Sequence, residues 1–361
     1  MKYIDEYRNS EHVKILVRKI KELATQEVSL MEVCGGHTWA IQKFGIPSLM
    51  PNEVRLLSGP GCPVCVTDRK YIDRAVAYSR LPNVIITTFG DLIRVPGSSS
   101  ILSIEKSKGA DIRIVYSILD AIKIAKENHT KKVIFLGIGF ETTVSSTAAG
   151  ILNAYKEGLK NFYLFSSHKV MPPAMAAIIE EGIKINGYIA PGHVSVITGS
   201  KLYDTIQQKY NIGCVISGFE PVDILQSIFM LLKQVNEKKF SVEIQYKRAV
   251  NYEGNVKAQK IISDVFEARA DWWRGLGILQ NSGLQLTEKY RHMDAEKMLA
   301  VEVEKTREDK GCICGEILKG LKKPTDCKLF SKVCTTANPV GACMVSHEGA
   351  CAAYFNYAER V

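Results

Sequence analysis

Apolar residues recur every three or four positions near the start of the chain, which predicts an amphipathic helix over residues 10–26. Ser10 stands where a helix N-cap is expected, just before the first apolar residue of the series. The apolar positions are Val13, Leu16, Val17, Ile20, Leu23 and Ala24. A single apolar face indicates a helix that packs against the fold, and we assign it no chemical role.

A different pattern follows, in which short runs rich in Val and Ile end in glycine or polar residues and lead into helix-like segments. This alternation is typical of parallel α/β sheets, whose strands are buried on both faces. The runs cover residues 54–62, 83–91, 131–143, 160–168, 186–193 and 212–221. The predicted fold is α/β, with two Rossmann-like domains around a cleft and a small C-terminal domain.

The chain divides into five predicted segments. They are an N-terminal helix at 1–28, α/β domains at 29–120 and 121–245, a helical connecting segment at 246–305 and a cysteine-rich domain at 306–361. Residues 258–277 look helical up to the Trp272–Trp273 pair. We interpret this pair as a packing anchor.

Polar residues follow the apolar runs at the points where the predicted strands end. They are Cys62, Asp91, Glu141, His168, His193, Glu220 and Asp223. Ligands of open parallel sheets bind at the carboxyl ends of the strands, so these residues predict one shared cleft. We take Asp91, Glu141, His193 and Glu220 as the candidates for binding a group there, although a buried, hydrogen-bonded structural role is an alternative for each.

Composition excludes several classes of protein. The chain is 46% hydrophobic and 24% charged, and no uninterrupted apolar run reaches the ~18 residues of a membrane helix. The N-terminus carries acids and no apolar signal core, so we expect a cytoplasmic protein whose cysteines serve metal or redox chemistry. The net charge of +9 indicates a face for acidic partners, because no basic block with interleaved aromatics suggests nucleic acid.

Two short cysteine motifs lie in the first α/β domain. Cys34 and His37 belong to MEVCGGHT, where the imidazole could stabilise a thiolate; a buried cysteine in a turn is the alternative. Cys62 and Cys65 form C-x-x-C in GPGCPVCV after a predicted strand. That spacing favours a thiol–disulfide pair over half of a zinc site.

The C-terminal stretch from Cys312 to Cys351 holds six of the ten cysteines. Four thiolates suit a [4Fe-4S] cluster, which leaves two for a thiol pair. None of the spacings is the C-x-x-C of zinc ribbons or bacterial ferredoxins. Lysines among the cysteines would offset an anionic cluster.

The segment GIGFETT at residues 137–143 is a weak dinucleotide motif. Its third glycine is missing, the next strand ends in Ser166–Ser167 rather than an acid, and no Walker A lysine motif occurs. We reject nucleotide binding there and expect Glu141 to serve the cleft. Cys214, inside an apolar run, is interpreted as a small core residue.

With these residues assembled, the chain resembles the HypD family of hydrogenase maturation factors over most of its length. The motifs that carry the resemblance are MEVCGGHT, GPGCPVCV, TTFGDLIRVPGS, GFETT, APGHVS, SGFEPVDIL and a six-cysteine tail ending in NPVGACMVSHEGACAAY. The resemblance implies two α/β domains around a cleft and a [4Fe-4S] domain similar to ferredoxin–thioredoxin reductase. It also implies [NiFe] hydrogenase assembly, in which an iron atom becomes Fe(CN)2CO in complex with the small chaperone HypC, and HypE delivers cyanide.

Residue roles follow from the same resemblance. Cys34 would ligate the iron together with a chaperone cysteine, His37 would lie beside it, and Cys62 and Cys65 would be an exchangeable thiol pair. The reductase analogy makes the cluster ligands Cys312, Cys327, Cys334 and Cys351. It makes Cys314 and Cys343 a second thiol pair, and the choice between Cys312 and Cys314 as ligand is the least constrained.

Three positions depart from the family pattern. Trp39 and Ser58 stand where histidines are common, and Asp68 where proline is common. Because Cys34 and His37 are intact, we expect the histidine replaced by Trp39 to have a supporting role.

Two other interpretations stay open at this point. A stand-alone [4Fe-4S]-dependent thiol–disulfide reductase would use the tail and C-x-x-C but leave Cys34 without a task. A structural protein would use the tail to bind zinc.

Overall fold

The computed structural model describes residue 2 and residues 4–358. Residues 1, 3 and 359–361, at the outer ends of the first and last predicted segments, lie outside this description. The strands are β1 Val28–Glu32, β2 Val54–Ser58, β3 Val84–Thr88, β4 Asp111–Ile114, β5 Lys132–Gly139, β6 Phe162–His168, β7 Gly187–Pro191, β8 Gly213–Ser217, β9 Val242–Ile244, β10 Phe266–Trp273 and β11 Gly277–Leu286.

Helices connect these strands. They are α1 Ser10–Leu23, α2 Gly35–Lys43, α3 Ile46–Leu49, α4 Pro63–Val66, α5 Arg69–Ser79, α6 Leu102–Ser107, α7 Ile118–Glu127, α8 Glu141–Lys156, α9 Met171–Glu180, α10 Gly192–Thr198, α11 Asp204–Tyr210, α12 Pro221–Glu237, α13 Val256–Val265, α14 Ala295–Met298, α15 Cys314–Leu318 and α16 Ala350–Tyr357. Short 3-10 helices lie at Asp5–Arg8, Gly90–Arg94, Ser200–Tyr203, Glu288–Met293, Pro324–Asp326 and Ala342–Met344. Within the described residues, every helix falls short of the length and apolar character that a membrane span requires.

The strands form two parallel sheets, as expected from the Val- and Ile-rich runs. Sheet A has the order β2-β1-β7-β8-β9, and sheet B has the order β4-β3-β5-β6. All neighbours within both sheets run parallel. Every residue of β3, β7 and β8 is buried, because helices cover both faces of such sheets.

The division of strands between the sheets does not follow the predicted boundary near residue 120. Sheet A takes strands from residues 28–58 and 187–244, and sheet B takes the strands between them. The sheet B unit is therefore an insertion in the sheet A unit. Alternation of strands and helices cannot reveal this, because the sheet that a strand joins depends on contacts distant in sequence.

The connecting segment predicted as helical, residues 246–305, is helical only in part. α13 ends at Val265, and β10 pairs with β11 as an antiparallel hairpin. The predicted helix extends too far because pairing of residues 266–273 with residues 277–286 overrides their local helical preference. Trp273 is fully buried beside Phe140, as a packing anchor should be, whereas Trp272 is partly exposed.

The predicted N-terminal helix is present, with one correction at its start. The side chain of Asn9, not Ser10, accepts the N–H groups of Glu11 and His12. Its apolar face packs on α12 and contributes to the core beneath sheet A, with Ile20 fully buried.

The C-terminal residues 306–358 have little regular structure but share the main core. Cys314, Ile317, Cys343 and Met344 belong to the same buried cluster as residues of both sheets. α16 packs on α2, which begins directly after Cys34. The cysteine-rich segment is thus held against the carboxyl ends of the sheets.

The backbone of Gly61 crosses that of Cys34 without room for a side chain. A Cβ on Gly61 would lie 2.1 Å from N and 2.3 Å from Cα of Cys34. Gly61→Ala should therefore lower the free energy of unfolding by about 3 kcal/mol, as overpacking does. Chemical denaturation measures this loss.

Gly90→Ala is the matched control, because its Cβ would meet only Cγ2 of Ile114 at 3.9 Å. We expect a change within about 1 kcal/mol. Equal destabilisation by the two substitutions would contradict a special contact at Gly61.

Candidate functional site

The topology of sheet A brings Cys34 and His193 together. The chain passes from β1 to β2 on one side, and β7 lies on the other side of β1, which makes the edge between β1 and β7 a topological switch point. Cys34 follows β1 and His193 follows β7. Sγ of Cys34 lies 3.7 Å from Nδ1 of His193.

Cys34 is buried at the N-cap of α2, with 1% of its surface exposed. Its N–H donates to Oε2 of Glu32 at 3.0 Å. Burial raises the pKa of the thiol, and the nearby carboxyls of Glu348 and Glu32 add to the increase, against the N–H groups of His37 and Gly36. The thiol therefore keeps its proton until a cation takes its place.

The imidazole beside Cys34 is that of His193, not that of His37 as the short spacing suggested. Nε2 of His37 lies 2.9 Å from the carbonyl oxygen of Gly218, and its ring stacks on Phe219 at 4.7 Å. Phe219 also lies beside His193, with the two ring centroids 5.4 Å apart. Burial lowers the pKa of both histidines to about 4, so both are neutral at pH 7.

A cleft of about 540 Å³ opens at the corresponding switch point of sheet B, between β3 and β5. Asp91, after β3, and Thr142 and Thr143, after β5, line one side. His347 and Glu348 of the C-terminal segment line the other. Of the seven strand-end residues expected to share one cleft, only Asp91 lines this one.

Glu348 connects this cleft to Cys34. A Cβ on Gly35 would lie 2.6 Å from Cβ of Glu348, so only glycine allows this contact. Burial raises the pKa of Glu348, the nearby His347 lowers it, and Asp91 raises it further. Two carboxyl groups thus face one cleft near the Cys34 loop.

Trp39 contacts His347, one of the residues that line this cleft. Its ring meets His347 edge-on at 6.4 Å, and its Nε1 donates to the hydroxyl of Tyr357 at 3.3 Å. Nζ of Lys43 lies 4.2 Å from its ring centroid. Trp39 therefore supports the C-terminal segment.

The C-x-x-C motif starts α4, a single helical turn. Cys62 is its N-cap, and its Sγ accepts the N–H of Cys65 at 3.4 Å. Cys65 is fully buried and hydrogen-bonds to both Cys343 and Cys62. Burial and these two contacts raise the pKa of Cys65.

Cys343 joins the two cysteine systems. Hydrogen bonds from the thiols of Cys314, Cys351 and Cys65 lower its pKa, against burial, which raises it. The 3-10 helix that carries Cys343, Ala342–Met344, packs on α4, which carries Cys65. Regions distant in sequence, around Cys65 and Cys314, thus meet at Cys343.

An enclosed, apolar pocket next to Cys343 is lined by the other five cysteines of the tail. They are Cys312, Cys314, Cys327, Cys334 and Cys351. The thiols of Cys312 and Cys314 are 3.2 Å apart. Among the described residues, no three His, Cys, Asp or Glu side chains converge as they do around a single metal ion.

Two predicted cleft residues point elsewhere. Glu141 accepts the N–H of Met171 at 3.1 Å and so caps α9. Glu220 forms two hydrogen bonds with the guanidinium of Arg8, at 2.5 and 2.9 Å. The further strand-end residues His168 and Asp223 are also bonded within the protein.

Three residues near the site were not singled out from the sequence: Phe219, His347 and Glu348. Phe219 is apolar and immediately precedes Glu220, the residue that was selected as a candidate. His347 and Glu348 follow no strand, and their only signal was their position between Cys343 and Cys351.

The buried carboxyl of Glu141 gives a pH dependence with a definite sign. Burial raises its pKa from 4.5 to about 7. Between these values the folded chain keeps a proton that the unfolded chain has released, so stability falls as pH rises, by at most about 1.4 kcal/mol per pH unit. Glu141→Gln should remove this contribution, measured by denaturant unfolding from pH 4.5 to 7.5.

The exposed Glu267 provides the control. Glu267→Gln should keep the wild-type slope of stability against pH. A stability difference between wild type and Glu141→Gln that stays constant over this range would contradict the assignment.

Comparisons with known proteins agree with this arrangement of motifs. The model of the HypD family, described as "Hydrogenase formation hypA family", matches residues 11–358. Hydrogenase maturation factor HypD2 of Bradyrhizobium diazoefficiens is 45% identical, over 99% of this chain and 97% of its own. A putative hydrogenase expression/formation protein of Methanocaldococcus jannaschii is 45% identical, over 96% and 97%. Hydrogenase maturation factor HypD of Escherichia coli is 42% identical, over 100% and 99%. The chain belongs to the HypD family.

Proposed function

We propose that this protein is a hydrogenase maturation factor, a cytoplasmic scaffold and thiol relay on which one iron atom receives two cyanides and one carbon monoxide. A small chaperone of the HypC type shares the iron cargo, and a factor of the HypE type delivers cyanide. Relatives named as hydrogenase maturation factors support this role. The observation that carries it is Cys34 beside His193 at a switch point, with the C-x-x-C loop packed on its backbone.

Cys34 suits the cargo chemically. Iron that carries cyanide and carbon monoxide is electron-rich, and a thiolate is a suitable soft ligand. The neutral imidazole of His193 adds no positive charge beside the metal. Because the thiol is buried, binding of the cation is coupled to release of its proton.

The two thiol pairs are arranged for direct exchange. The Cys343 thiolate attacks Sγ of Cys65 in a Cys62–Cys65 disulfide; that S–S bond breaks, and Cys62 leaves with the electron pair and takes up a proton. Cys314 then attacks Cys343, forms the Cys314–Cys343 disulfide and releases Cys65 as a thiol. Two electrons and two protons move from the C-terminal pair to the cleft pair.

The donor set of the tail fits a [4Fe-4S] cluster. Four thiolates with an apolar lining match how such clusters are held, and the proposed ligands all line one pocket: Cys312, Cys327, Cys334 and Cys351. A bound cluster supplies one-electron chemistry there. Cys314 lines this pocket as well, so position sets only Cys343 apart from the proposed ligands. The contact of Cys343 with Cys314 supports their assignment as the thiol pair.

The alternatives account for less of the molecule. A stand-alone thiol–disulfide reductase uses the Cys65–Cys343 contact but gives the Cys34–His193 contact no role. A structural zinc protein explains neither contact.

Infrared spectroscopy of the protein purified anaerobically with its small chaperone tests the cargo site. Cyanide and carbonyl stretching bands are expected, and Cys34→Ala should abolish them while iron and sulfide of the cluster are retained. The matched control is Cys214→Ala, because Cys214 is equally buried but lies within β8. Bands of full intensity in Cys34→Ala would remove Cys34 from the iron site.

Metal analysis of the same anaerobic preparation tests the tail. About five iron and four sulfide per chain are expected, four of each from the cluster and one iron from the cargo. Cys327→Ser should lower both, and Cys214→Ser should not. Zinc in place of iron and sulfide would favour the structural alternative.

A further inference from the structure

Arg274 is a buried cation at the tip of the β10–β11 hairpin, with 7% of its surface exposed. It donates to three consecutive carbonyl groups that follow the C-x-x-C motif. Nε reaches the oxygen of Cys65 at 2.9 Å, the backbone N–H that of Val66 at 3.1 Å, and Nη2 that of Thr67 at 2.9 Å.

These bonds compensate for the shortness of α4. The last carbonyl groups of a helix have no partner within it, and in a single turn this leaves most of the backbone unsatisfied. α4 carries Cys65, so the position of Cys65 depends on the groups that donate hydrogen bonds to these carbonyls. A planar guanidinium holds two carbonyls of this turn with donors in a fixed geometry, whereas the donors of an ammonium group rotate on a flexible stem.

The same hairpin tip lies against the cysteine-rich segment. A Cβ on Gly275 would lie 2.5 Å from the carbonyl oxygen of Gly315, next to Cys314 in the chain. Nη1 of Arg274 pairs with Glu308 at 3.2 Å. One turn of chain therefore contacts both members of the thiol system, the α4 turn and the start of α15.

We propose that Arg274 is a positioning residue that holds Cys65 in contact with Cys343 and thereby sets the rate of disulfide exchange between the two thiol pairs. The inference deepens the proposed relay and rests on it. Arg274 takes no part in bond making, since its donors are occupied by carbonyl oxygens and by Glu308. Its substitution changes how often the two sulfurs meet.

Trapping the mixed disulfide tests this role in the full chain. In a Cys62→Ser, Cys314→Ser background, Cys65 attacks oxidised glutathione and releases one reduced glutathione; Cys343 then attacks Cys65 and releases the second. The Cys65–Cys343 disulfide accumulates because both cysteines that would resolve it, Cys62 and Cys314, are absent. Acid quenching, alkylation and peptide mapping by mass spectrometry give its rate of formation from the mixed glutathione disulfide.

Arg274→Met in this background should slow the step by about tenfold to a hundredfold, the range expected for a small misplacement of reacting groups. Arg274→Lys keeps the charge but loses the fork and should give an intermediate rate. The matched control is Arg69→Met, because Arg69 is also 7% exposed and pairs with Glu308 but binds the carbonyl of Arg307 instead. Its rate should stay within about twofold of the parent.

Two outcomes would overturn the inference, and they are distinguishable. A parent that forms no Cys65–Cys343 disulfide removes the relay itself, and the positioning role with it. A parent that forms it, with Arg274→Lys and Arg274→Met equally fast, removes only the role of Arg274. Circular dichroism melting checks folding, and Arg274→Lys keeps the test decisive if Arg274→Met does not fold.

Discussion

The close approach of two glycine backbones to the Cys34 loop is the constraint on which the rest of the site depends. Gly61 lies against Cys34 on one side, and Gly35 lies under Glu348 on the other. Backbone packing at this distance excludes both side chains and water. As a result, one rigid junction joins three parts that are far apart in sequence: the C-x-x-C loop, the Cys34 thiol and the C-terminal segment.

Burial keeps most ionisable groups of this junction neutral. It lowers the pKa of His37 and His193 to about 4 and raises that of Glu32 to about 8. Charging any of them alone in a poorly solvated interior is unfavourable. The three buried cations of the described residues are instead paired with carboxylates, Lys169 with Asp271 and both Arg69 and Arg274 with Glu308. A metal cargo would thus be the main source of new charge in the junction.

Local sequence patterns predicted the strands and the positions of residues at their ends, because runs buried on both faces are distinctive. They placed Cys62 and His193 after strands, where the structure has them, whereas Cys34 follows β1, which they did not identify. The direction of a strand-end side chain was not predictable: Glu141 and Glu220 occupy equivalent positions but bond to Met171 and Arg8. The direction of each side chain depends on the helices that pack against the strand end, and these contacts form only on folding.

Other features needed long-range contacts and had no local signal. β4 and β9 have only four and three residues, and the partner of β10 lies beyond a turn, so periodicity alone did not identify them. β1 is as long as the strands that were identified, and it was missed as well. The assignment of strands to sheets also failed to follow chain order. Resemblance of whole motifs, by contrast, indicated the HypD family, and the family comparison confirmed it.

The insertion of sheet B into sheet A has a consequence for biosynthesis. β1 and β2 leave the ribosome first, but their remaining partners, β7 to β9, end only at residue 244. Contacts of such large sequence separation form late, after the inserted unit has folded. The nascent chain therefore carries a Cys34 without His193 beside it until β7 has been made and paired with β1. The site proposed for iron is complete only after the whole inserted unit has been synthesised.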